Sequence, residues 1–91
     1  MTPLQQRFRE VVADLAVGEV VSYGEVARRA GRPGTARAVG GFLAEHGADL
    51  PWWRVVRADG SLATHHQREQ ATRLRAEGVE VRAGRVIDAM P

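Results

Sequence analysis

A mainly α fold with a small β wing is what this 91-residue sequence predicts, on three observations. Apolar residues recur at helical spacing near the N-terminus. Two short helical stretches flank a Gly-containing turn in the first half, and the second half holds short β-branched runs bounded by Asp-Gly and Ala-Gly. Two helices across such a turn, followed by a strand that enters a tight turn, make a winged helix-turn-helix. No composition break divides the chain, so residues 1–91 are read as one domain.

The first helix has Thr2 as N-cap and Pro3 at the first helical position. Leu4, Phe8, Val11, Val12 and Leu15 share one face, and Gly18 ends the element. Val20 and Val21 form a short β-prone pair. Ser22 with Glu25 three residues later is a capping-box signature, so a second helix starts at Tyr23 and runs to Gly31. The segment Gly31-Arg32-Pro33-Gly34 is a turn, and a third helix covers about Thr35 to Glu45. Such a helix pair is either a DNA-binding motif or an ordinary αα corner. Gly40 and Gly41 are costly inside a helix and indicate close approach, by another surface or by the packed core. Val55-Val56 before Asp59-Gly60 reads as a strand entering a turn, as in a wing. A polar helix from Gln67 to Glu77 turns Ala71 and Leu74 inward, and Val79 to Ile87 alternates around Ala83-Gly84 as a terminal hairpin.

Charge carries the next inference. Net charge is only +2, but all thirteen basic residues are Arg and none is Lys. Arg suits bidentate and stacked contacts with phosphates and bases, while an Ala/Gly/Val/Arg-rich chain also fits a genomic base bias. Arg28, Arg29, Arg32 and Arg37 fall within ten residues with no acid between them, at the turn and the start of the third helix. Helix N-termini attract phosphate, and this end of a helix-turn-helix meets nucleic acid. There is no cysteine, which excludes disulfides, thiolate metal sites and thiol nucleophiles. His65 and His66 are neighbours whose side chains diverge, so no metal site is expected, nor any small-molecule cofactor. No secretory signal or membrane-spanning stretch is evident, and a cytoplasmic protein with no membrane partner is expected.

Three motifs then carry a resemblance: Gly18-Glu19-Val20-Val21-Ser22-Tyr23, Ala36-Arg37-Ala38-Val39-Gly40-Gly41, and Pro51-x-x-Arg54-Val55-Val56. In this order, and on to Glu77-Gly78, the sequence resembles the DNA-binding domain of O6-alkylguanine-DNA alkyltransferases. Those enzymes carry Pro-Cys-His-Arg where this chain has Pro51-Trp52-Trp53-Arg54. Alkyl transfer of that kind needs a thiolate and a base to generate it, and indole offers one N–H donor and no useful nucleophile. No catalytic residue is therefore assigned, and the protein is expected not to be an enzyme. The chain is similar to the alkyltransferase-like proteins, which have Trp at the cysteine position.

The resemblance implies a function and a set of roles. Such proteins bind O6-alkylguanine in double-stranded DNA through the minor groove, flip the base, bend the duplex and direct nucleotide excision repair to it. Tyr23, Thr35, Ala36, Arg37, Ala38 and Gly40 are the implied DNA contacts. Tyr23 matches the tyrosine that holds the rotated nucleotide, and Arg37 the arginine finger that fills the gap left in the stack. Tyr23, Pro51, Trp52, Trp53, Val55 and His65 are the implied lesion pocket, with Pro51 and Val55 serving through their backbones. Trp53, where relatives keep His, either reshapes the pocket or packs on the core. Arg54 supports the loop, and Glu77 is left with a structural hydrogen bond. His65, His66 and Arg68 lie where the family closes a loop over the base, without its usual sequence.

Overall fold

The computed structural model describes residues 1–62 and 65–87. Helix α1 runs from Pro3 to Ala13 and opens on a complete capping box. Thr2 Oγ1 accepts the Gln5 N–H at 3.1 Å, and Gln5 Oε1 accepts the Thr2 N–H at 3.0 Å. The helix stops earlier than its apolar spacing implies. Asp14 is the C-cap, so Leu15 lies in the following turn, though still buried. Gly18 reverses the chain at φ +82°, a backbone state that Gly adopts at no steric cost.

Strand β1 is only Val21–Ser22, and α2 follows at once from Tyr23 to Arg29. Ser22 Oγ accepts the Glu25 N–H at 3.0 Å. The reciprocal half of the expected box is missing, because the Glu25 carboxylate is taken by Arg28 at 2.6 Å and Arg29 at 2.8 Å. Arg29 also reaches Glu19 at 3.2 Å. Two members of the basic run are thus neutralised by acids just outside it, at i−3 and i−4 helical spacing. Arg32 and Arg37 make no ion pair among the described residues. Helix α3 spans Ala36–His46 with Thr35 as N-cap, and packs on α2 and α1.

A single 3₁₀ turn, Trp52–Arg54, leads into strand β2, Val55–Val56. This strand corrects the wing reading. It pairs in parallel with β1, Val21 opposite Val55 and Ser22 opposite Val56, and both valines are fully buried, as parallel pairs require. Helix α4 spans Gln67–Ala76 with Glu77 as C-cap. Strands β3, Val81–Arg82, and β4, Arg85–Val86, form an antiparallel hairpin. Its Ala83 and Gly84 both have positive φ, 53° and 73°, the mirror-type turn that matches strand twist. Ser61 bridges to Arg85, so the winglike antiparallel layer is built from residues 61–62 and the terminal hairpin.

The β1–β2 pair separates two cores. Val21 and Val55 face Phe8, Val12, Val26, Val39 and Phe42. Val20 and Val56 face Leu62, Leu74, Val81 and Val86. This is the two-residue alternation of strands acting across a wall only two residues long. Burying eleven apolar side chains on one side and six on the other, the larger at about 1.5–3 kcal/mol each, is the main favourable term holding the wall in place. No helix among the described residues is long and apolar enough to cross a membrane.

Candidate nucleic-acid interface

The wall positions two side chains. Tyr23 follows β1 directly and Trp52 stands three residues before β2, so they leave the parallel pair from opposite ends, and both side chains still reach the same groove. They line one open groove of about 840 Å³. Gly40, Leu43, Ala44 and Ala48 supply its small apolar wall from α3 and the turn after it. Arg57, His65, His66, Glu69 and Arg73 supply its polar rim. His66 stands beside Trp52, ring centroids 6.0 Å apart. Burial raises the Tyr23 hydroxyl above its ordinary pKa, with the Arg57 charge opposing, so Tyr23 enters the groove as a neutral donor.

Not every residue expected in the pocket lines this groove. Trp53 turns the other way and packs against the second core. Its Nε1–H donates to Glu77 Oε2 at 2.8 Å, and the Arg73 guanidinium lies 4.5 Å from its ring centroid, within cation–π range. Its ring meets that of Trp52 edge-on, at 6.0 Å and 85°. Pro51 and Val55 are also outside the lining. The Pro51 carbonyl accepts the Arg54 N–H at 3.1 Å, and the Val55 carbonyl accepts from Gln70 Nε2 at 3.0 Å.

Around Glu77 lies a polar hub that the sequence only partly revealed. Arg54, 9 % exposed, grips Glu77 through Nη2 at 2.7 Å and Nε at 3.0 Å, and donates Nη1–H to the Leu15 carbonyl at 2.8 Å. The Gly18 N–H donates to Glu77 Oε1 at 2.9 Å. These donors hold the Glu77 pKa at about 2, Arg54 first among them, against an ordinary value of 4.5. Gln70, fully buried, donates Nε2–H to the Trp53 carbonyl at 3.1 Å as well as to Val55. It sits on a helix whose sequence reads as solvated, so nothing in the sequence marked it.

Apart from Tyr23 on α2, the expected DNA contacts lie at the N-cap and in the first turns of α3. Arg37 and Ala38 are exposed, while Ala36, Gly40 and Thr35 are half-buried. Thr35 donates its hydroxyl to the Arg32 carbonyl at 2.7 Å. A Cβ built on Gly40 or on Gly41 would meet no atom within 4 Å. The protein's own core therefore does not require either glycine, and the open side of α3 is free for another surface. Among the described residues no three His, Cys, Asp or Glu side chains gather as metal ligands would.

Comparison with known proteins agrees with this architecture. Residues 3–79 match the profile of the 6-O-methylguanine DNA methyltransferase, DNA binding domain. The chain belongs to this family. It is 44 % identical over 87 residues to the Escherichia coli DNA base-flipping protein, covering 91 % of this chain and 67 % of that one. It is 33 % identical over 78 residues to Schizosaccharomyces pombe alkyltransferase-like protein 1, covering 79 % and 72 %. The crystal structure of S. pombe Atl1 in complex with damaged DNA containing O6-carboxymethylguanine superposes with a TM-score of 0.79 at 31 % identity, over 88 % of this chain and 80 % of that one. Within the family, this member lacks any cysteine and places an indole, Trp52, in the groove.

Proposed function

We propose that this protein recognises O6-alkylguanine in double-stranded DNA without repairing it, by drawing the damaged nucleotide out of the duplex into the groove beside Trp52. The observation that carries the reading is that groove itself. It is walled by Tyr23, Gly40 and Trp52, in a family that handles alkylated guanine, and in a chain with no thiol to accept an alkyl group. Indole grips a purine by stacking, worth about 1–3 kcal/mol per base, and cannot take a methyl from it. The names of its relatives, a base-flipping protein and an alkyltransferase-like protein, support the same reading.

In this reading α3 enters the minor groove, with Thr35, Ala36, Arg37, Ala38 and Gly40 against the DNA. Arg37 stacks into the space vacated by the base, offsetting an unstacking cost of a few kcal/mol. Tyr23 holds the rotated nucleotide, and His65 closes over it. Having no chemistry of its own, the protein serves as a flag on chromosomal DNA in the cytoplasm, and nucleotide excision repair proteins are the partners that the resemblance implies.

Fluorescence titration of labelled duplexes tests the proposal. The duplex with O6-methylguanine binds more tightly than the same duplex with guanine; equal affinities remove the lesion-specific claim. Arg37→Ala weakens both complexes, whereas Trp52→Ala mainly erodes the ratio between them. Protein mass stays unchanged after incubation with alkylated DNA, and a gain of one methyl would show a repair enzyme instead.

A further inference from the structure

The rim of the groove is electrically lopsided. Glu69 is the one acid among its described lining residues, and that carboxylate is held by Arg73 at 3.0 Å. Arg73 is in turn fixed over the Trp53 ring. Arg57 is different: it lies just beyond β2, is exposed, lines the groove, and makes no ion pair among the described residues. Its charge is near enough to Tyr23 to act on the hydroxyl. Below it the wall is apolar and small, from Gly40, Leu43 and Ala44 to Trp52. A space of about 840 Å³ falls in the roughly 300–1,000 Å³ range of pockets that take drug-sized ligands, so it has room for more than a methylated base.

We infer that the groove favours O6-alkyl adducts that end in an anionic group, with Arg57 as the residue that reads the charge. This rests on the lesion-recognition reading above and names the class of lesion within it. An alkyl chain leaving a guanine stacked on Trp52 runs along apolar wall, and its far end meets Arg57, the arginine of the lining that makes no ion pair among the described residues. A carboxylate there gains a charge-assisted hydrogen bond with a planar guanidinium. A neutral amide of the same shape gains only an ordinary one.

The test compares duplexes carrying O6-(2-carboxyethyl)guanine and its uncharged isostere O6-(2-carbamoylethyl)guanine, beside O6-methylguanine and guanine. The carboxylate duplex binds about tenfold more tightly than the amide duplex, the factor that one contact of about 1.4 kcal/mol supplies, and added salt narrows the gap. Arg57→Gln brings the two to the same affinity, and Arg57→Lys keeps part of the difference. Equal affinities in the unaltered protein overturn the inference while leaving lesion recognition intact, provided O6-methylguanine still outbinds guanine. If Arg57→Gln weakens all four duplexes by one factor, Arg57 contacts phosphate and the inference is likewise overturned. If none of the alkylated duplexes outbinds guanine, the lesion reading itself has failed.

Discussion

Glu77 shows how one side chain can bind distant parts of a small fold together. A carboxylate with four N–H donors from three residues in two parts of the chain, Gly18 on one side and Trp53 and Arg54 on the other, is a structural clamp. It ties the turn after α1 to the loop carrying Trp52. Removing one partner of such a buried pair leaves the other unmatched and costs about 3 kcal/mol. Glu77→Gln therefore lowers the melting temperature on the order of 15 °C, read by circular dichroism. Trp53 supplies one of those donors and adds ring surface to the second core. The resemblance alone left Trp53 divided between pocket and core. The orientation of an indole is a tertiary fact, and two adjacent tryptophans carry no periodicity to decide it.

At the scale of elements, α1 was the most legible, because eleven residues give an amphipathic repeat time to declare itself. The turns at Gly31–Gly34 and Ala83-Gly84 were legible too, since special backbone states demand special residues. The two-residue strands were not: Val55-Val56 has no alternation to read, and only the fold reveals that its partner is Val21-Ser22 and parallel. Local reading also treated Arg28 and Arg29 as free cations, because the acids that pair with them stand outside the run. Helix α3 carries the sharpest prediction. Its two glycines cost stability and face open space, so Gly41→Ala stabilises the free protein by about 1 kcal/mol. Gly40→Ala, on the groove side, is tolerated equally well by the fold, yet weakens duplex binding by bringing a methyl between helix and DNA. Thermal melts and titrations on the same two variants separate these effects. Unchanged DNA affinity in both would show that α3 does not approach DNA closely.

For the whole molecule, acid is the condition that reaches every part. Arginine partners hold Glu25 and Glu77 at about 2, and Asp49 is lowered by its pair with Arg9. A carboxylate whose pKa is depressed by folding stabilises the native state fully above its unfolded value, near 4.5 for these glutamates. That contribution is lost as pH falls toward 2. Stability is therefore flat from pH 7 down to about 5 and declines steadily below, followed by urea midpoints across pH. Glu77→Gln shows a shallower decline, because one of the linked groups is gone. A decline equally steep in the variant would assign acid sensitivity elsewhere.

The parallel β1–β2 pair has a mechanical corollary. Because Tyr23 and Trp52 leave a buried wall from its two ends and still line one groove, the two sides of the proposed nucleotide site behave as the jaws of a single rigid caliper. Such a gauge cannot mould itself to what it measures. The deformation falls on the duplex, and bases already loosened in their stack are the ones it will admit first.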